Sequence, residues 1–180
     1  DGKNIVFKES VGTDAQYMKL MNMETQKQEF FPNYIYRQDG SVEWSADGKQ
    51  LVFSQSIASL GLNYELFIIN GDRKGETQLT DRPFHTDHSA SLHPNGVDIL
   101  FDSFFSGIER DTILKQITKQ IYHTTVYGDS VTQITFGEKA MWSPRINPRT
   151  GEILYGMKDP ERGLRGIWKV ADMDFSGPVK

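Results

Sequence analysis

The sequence predicts an all-β fold of short antiparallel sheets stacked on one another, and three observations predict it. A turn followed by a β-rich run recurs at a nearly constant interval. Between these copies lie further short runs rich in β-branched and aromatic residues, joined by Gly, Asn and Asp. The apolar runs are too short for ordinary helices.

The first pattern is a Gly-containing turn and an apolar run ending in an aromatic residue. It reads DGKNIVF (Asp1 to Phe7), ADGKQLVF (Ala46 to Phe53), HPNGVDILF (His93 to Phe101) and NPRTGEILY (Asn147 to Tyr155). The closing aromatics Phe7, Phe53, Phe101 and Tyr155 are 46, 48 and 54 residues apart. A second pattern lies between them: MKLMNME from Met18, ELFIINGD from Glu65, QIYHTTVYGD from Gln120 and GIWKVADMD from Gly166. A third follows as TQLT (Thr77 to Thr80) and TQIT (Thr132 to Thr135), with QEFF (Gln28 to Phe31) as a weaker copy. A fourth segment precedes each Gly turn, as in SVEWSADG, SASLHPNG and KAMWSPRINPRTG. Asp-Gly and Asn-Gly junctions suit hairpins, because these residues tolerate the positive φ that tight turns need.

Four short strands per copy of about 45 residues describe the blade of a β-propeller. One four-stranded sheet cannot cover both its faces, so such sheets are stable only when stacked. The expected repeats span 1–37, 38–85, 86–137 and 138–180. This gives about three and a half to four blades.

Composition narrows the function. The 180 residues suit one domain or part of a larger one, and a hydrophobic content of 37% is enough for a core. A net charge of −4 argues against a broad nucleic-acid or anionic-membrane surface. No apolar run reaches the roughly 18 residues of a membrane span, so membrane insertion is not expected. Without cysteine, thiolate chemistry and zinc–sulfur sites are excluded.

The stretch WSADGKQLVFS (Trp44 to Ser54), followed by ELFIINGDRKGETQLT (Glu65 to Thr80), resembles the WD-like repeat of TolB-type propellers. The likeness extends over nearly the whole chain. It weakens in the first copy and in the fourth, where INPRT separates Trp142-Ser143-Pro144 from Gly151. The resemblance implies a non-catalytic scaffold that binds a protein partner, in a periplasmic or secreted setting. It also implies a ring of six or more blades, so this chain is expected to be a fragment of one, or to complete the ring as a homo-oligomer.

The densest polar cluster is Arg82-Pro83-Phe84-His85-Thr86-Asp87-His88, expected in the connection between the second and third copies. His85, Asp87 and His88 are the candidate metal ligands, and in related oligogalacturonate lyases channel histidines hold a metal for sugar cleavage. The structural alternative is that Asp87 and His88 bond the loop backbone, with His93 standing where other copies carry Ser45 or Ser143. No nucleophile elbow or phosphate cradle is present, so no catalytic residue and no cofactor is assigned. A third reading is the regulatory propeller of a prolyl-oligopeptidase-like serine peptidase. The partner-binding candidates are His85, His88, Phe104 and Phe105. Trp44, Trp142 and Trp168 are expected to pack between sheets. Between Phe101 and Ile121, the spacing of Ile113, Ile117 and Ile121 fits one face of a short helix, and the β-branched content fits a long hairpin equally. The pair Asp172 and Asp174 resembles half of a calcium loop.

Overall fold

Hairpin after hairpin, the turn residues set the register. Ser45, His93 and Asn147 each open a turn closed by a left-handed glycine: Gly48, Gly96 and Gly151, all with φ near +70°. The amides of Ser45, His93 and Asn147 donate to the carbonyls of Gln50, Asp98 and Glu152 across the turn, which fixes how the following strand pairs. The structure, a computed structural model, describes residues 2–11, 15–30, 39–57, 63–105, 118–147, 149–158, 163 and 165–170. All regular structure among these is β-strand.

The strands form four antiparallel sheets in chain order. Sheet I holds β1 (Asn4–Val11), β2 (Ala15–Asn22) and β3 (Gln28–Phe30). Sheet II holds β4 (Asp39–Trp44), β5 (Gln50–Ser56), β6 (Tyr64–Asn70) and β7 (Thr77–Gln78). Sheet III holds β8 (His85–Leu92), β9 (Asp98–Phe105), β10 (Gln120–Thr125) and β11 (Thr132–Gln133). Sheet IV holds β12 (Met141–Ile146), β13 (Ile153–Lys158) and β14 (Arg165–Val170).

Each sheet packs on the next, which explains why the middle strands are apolar on both faces. Val6, Met18 and Leu20 of sheet I meet Leu51, Phe53, Phe67 and Ile69 of sheet II. On the opposite face of sheet II, Val52, Leu66 and Ile68 meet Ala90, Leu92, Ile99 and Phe101 of sheet III. Leu100 and Ile121 then meet Ile146 and Ile153 of sheet IV. The first strands β4, β8 and β12 run alongside one another. Polar bonds tie them: Ser91 Oγ donates to Glu43 Oε1 at 2.7 Å and accepts from the Ile146 amide at 3.1 Å.

Register equivalence shows what stacking does. Val52 and Leu66 are buried under sheet III, and Leu100 and Ile121 under sheet IV. Their counterparts on the last sheet, Leu154 and Ile167, are 42% and 80% exposed.

Several expectations are corrected here. His85 to His88 do not form a connection: they begin β8, pairing with Phe105 to Asp102. The fourth turn opens at Asn147, as the NPRTGEILY pattern predicts, with its Oδ1 accepting from the Arg149 amide at 2.9 Å, so Ser143 is not the counterpart of the turn residue Ser45. Ser143 sits instead at a bulge in β12 (φ +49°), matching Ser89 in β8 (φ +54°). An extra residue in each first strand requires that bulge, and WSP in the fourth copy marks it rather than the turn. Trp44 packs in the first interface. Trp142 lies over Gly156, where any Cβ would overlap the indole, and Trp168 is exposed on the last strand. Ile121 belongs to β10 and not to a helix. Ile113 and Ile117, Phe31, and Asp172 and Asp174 lie outside the described residues.

Candidate functional site

An extended strand points successive side chains to opposite sides, and this divides the cluster on β8. Asp87 turns toward Ser103, its partner across the ladder. Its Oδ1 accepts from Ser103 Oγ at 2.5 Å and from Arg82 Nη1 at 3.2 Å. The carboxyl is fully buried, and Oδ2 has no hydrogen-bond partner. Burial raises the pKa of Asp87, opposed by the Ser103 bond and the Arg82 charge. The Arg82 guanidinium also lies 4.4 Å from the centre of the Tyr122 ring.

His88 points elsewhere. Its ring packs against Tyr64 at 4.3 Å between centroids, tilted by 39°, and Nδ1 lies 3.3 Å from Ser54 Oγ. Burial, and then the positive charge of Lys119, push its pKa down to about 4, so the ring is neutral at physiological pH. His85 Nδ1 is 3.1 Å from the Pro83 carbonyl oxygen. The three candidate ligands are thus engaged with three different sets of partners. Among the described residues, no group of three metal-ligating side chains converges.

The other candidates divide in the same way. Phe104 lies under Lys119, whose Nζ is 5.3 Å from the ring centre and donates to Asp102 Oδ1 at 3.0 Å. Phe105 is 44% exposed and meets His85 edge-on at 5.5 Å. Phe84, 64% exposed, stands 6.3 Å from Phe105 and completes an aromatic patch at the end of the β8–β9 pair. His93 takes the role of Ser45 and Asn147, its Nδ1 accepting from the Asn95 amide at 3.2 Å.

Sequence reasoning missed Glu65, a fully buried carboxyl on β6. Glu65 Oε2 accepts from Thr80 Oγ1 at 2.5 Å and Oε1 from the Arg82 amide at 3.0 Å. Burial pushes its pKa up to about 7 against these two bonds, and the charges of Asp87 and Asp81 add to the rise. The signal was present in the repeat: Glu65 opens ELFIIN as Gln120 opens QIYHTT, each followed 15 residues later by the Thr of TQLT or TQIT.

The stacked sheets are those of a TolB-like propeller fold. A structure assigned as TolB from Agrobacterium tumefaciens superposes with a TM-score of 0.66 at 20% identity, over 88% of this chain and 51% of that one. TolB from Acinetobacter baumannii gives 0.56 at 17%, over 96% and 42%. Dipeptidyl peptidase 4 from Porphyromonas gingivalis gives 0.59 at 10%, over 93% and 29%. The chain spans about half or less of the length of these proteins. No protein-family profile and no curated protein matches the sequence. Among the described residues, no helix is long and apolar enough to cross a membrane.

Proposed function

We propose that the chain is a non-catalytic protein-binding scaffold, its sheets acting as the blades of a TolB-like propeller in the periplasm or outside the cell. The observation that carries this reading is the patch of Phe84, His85 and Phe105. Exposed rings stand there on a strand pair whose base is held by the buried bonds of Asp87, Ser103 and Arg82. Aromatic side chains on rigid footing are the residues that dominate protein interfaces. The ionisable groups behind them serve structural bonds, which disfavours the metal-assisted sugar lyase.

Replacing Phe84 and Phe105 together by serine is expected to weaken partner capture about tenfold or more, since each interface anchor contributes more than ~1 kcal/mol. Stability should change by no more than about 0.5 kcal/mol per substitution, as for other surface positions. The check is photo-crosslinking from the exposed position 83 beside the patch in the native host, with the exposed position 49 as the control. A yield unaffected by the double substitution would overturn the reading.

The exposed Leu154 and Ile167 support completion of the stack by a further repeat, from the same polypeptide or from a second copy. Sedimentation of the purified chain separates these: a monomer of 20.5 kDa at all concentrations excludes the second copy. A second functional reading, the regulatory propeller of a serine peptidase, draws on the likeness to the dipeptidyl peptidase fold. Its test is whether the native polypeptide carries a hydrolase domain.

A further inference from the structure

The crossover from sheet II to sheet III, residues 79–84, holds one side chain in a conformation that its type disfavours. Arg82 to His85 form a turn, closed by the His85 amide donating to the Arg82 carbonyl at 3.0 Å. Pro83 takes the second position, and Phe84 takes the third with φ +64°. That place ordinarily goes to glycine, because at positive φ a Cβ crowds the carbonyl that follows. Five residues other than glycine have positive φ among those described, and Phe84 is the one aromatic. The strain does not bury the ring, which is 64% exposed beside Phe105. Backbone strain that the core does not use is characteristic of side chains held for binding.

The charges nearby fall into two groups. Arg82 pairs with Asp87 and Lys119 with Asp102, and both of these carboxylates are fully buried. These pairs cancel. Asp81 is different: it is exposed, and no described residue hydrogen-bonds or ion-pairs with it. The crossover from sheet III to sheet IV, residues 134–140, repeats the combination. Phe136 is 71% exposed, and Glu138 is an exposed carboxylate equally without such a partner. Lys139 follows and offsets part of its charge. Phe84 leads into β8 and Phe136 follows β11, so both rings stand at the same end of the strands of sheet III.

We propose that the two crossovers form a docking surface for a basic, extended segment of the partner protein, with one arginine seated at Phe84 and Asp81 and a second at Phe136 and Glu138. A guanidinium is planar, stacks on an aromatic face and pairs with a carboxylate at its edge, and each crossover offers both groups. The net charge of −4 favours the approach of a basic segment. Three strand spacings separate β8 from β11, about 14 Å, which an extended chain covers in about four residues. Side chains four apart on such a chain point the same way, so the second arginine falls at i+4. The chemistry of the segment rests on the reading above that this end of the fold binds a protein.

The test is to pan a displayed library of random twelve-residue peptides on the intact chain. Arginine pairs spaced by four residues are expected to dominate the selected clones. Their binding should fall about tenfold in Asp81→Asn and in Phe84→Gly, and less in Glu138→Gln. Selection of acidic or purely apolar clones, of none, or of clones indifferent to these substitutions would overturn the proposal. Thermal melting examines the turn separately. Phe84→Gly and Phe84→Ala both remove the ring, and Phe84→Gly should melt ~2–4 °C above Phe84→Ala because it releases the strain. A Phe84→Gly chain melting more than about 5 °C below the unaltered protein would make the ring a structural element and remove it as an anchor. Photo-crosslinking from position 83 keeps the two readings apart. Capture of a partner without arginine preference in the library removes the basic segment alone, whereas no capture removes the protein-binding reading as well.

Discussion

Arg82→Met is expected to destabilise the fold by about 3–5 kcal/mol at neutral pH, because it leaves a buried carboxylate without its counter-charge. The Asp87 carboxyl is wholly buried, and the Arg82 side chain is itself 17% exposed. With the guanidinium gone, Ser103 Oγ is the only donor bonded to Asp87 Oδ1. The loss should shrink at acid pH, where Asp87 takes up a proton, and should largely disappear in Arg82→Met combined with Asp87→Asn. Removing both members of a buried ion pair is far less costly than removing one. Urea unfolding of the three variants at two pH values makes the comparison. Equal destabilisation by the single and double variants would mean that Arg82 acts through packing on Tyr122 and not through charge.

The legible part of the fold was its apolar rhythm. Leu51 to Phe53 and Ile99 to Phe101 are buried on both faces, so their strands announce themselves as short apolar runs. The first strands are different. The segment HTDHSASL of β8 is buried at Thr86, Asp87, Ala90 and Ser91, yet it is polar, because first strands meet one another through side-chain hydrogen bonds as well as apolar contact. A polar strand lying inward has the composition of a loop, and His85 to His88 read as one. Ser143 was equated with the turn residue Ser45 for a related reason. Trp-Ser looks the same at a bulge in β12 as it does at the turn after β4, and only the bonds of Asn147 distinguish them. The candidate site was legible as a concentration of histidines and phenylalanines. Its division was not: which side chain faces Ser103 and which faces Tyr64 depends on β8 being a strand. Glu65 was hidden by its setting, since an acid at the start of an apolar run ordinarily marks solvent. Its pairing with Thr80 is signalled only by the spacing of 15 residues that Gln120 and Thr135 repeat.

The interface between sheets II and III supplies the second large effect. Phe101→Ala should cost about 3–5 kcal/mol, the range for deleting a buried aromatic ring. For a chain of this size that lowers the melting temperature by roughly 10 °C. Phe101 is wholly buried among Val52, Leu66 and Leu92, and it stacks on Tyr122 at 5.7 Å. Tyr122 in turn lies beneath the Arg82 guanidinium. The ring therefore links the apolar interface to the ion pair, and the two substitutions share a partner. Phe101→Ala frees Tyr122 to shift, and with it the platform on which Arg82 rests. A double-mutant cycle between Phe101→Ala and Arg82→Met should accordingly depart from additivity by ~0.5–3 kcal/mol, the range for residues sharing a contact. Phe104→Ala, at a ring covered by Lys119 on the other side of β9, should add to either within about 0.5 kcal/mol. Strict additivity of Phe101 and Arg82, measured by calorimetry, would mean that the apolar interface and the buried ion pair stabilise the joint between these sheets independently.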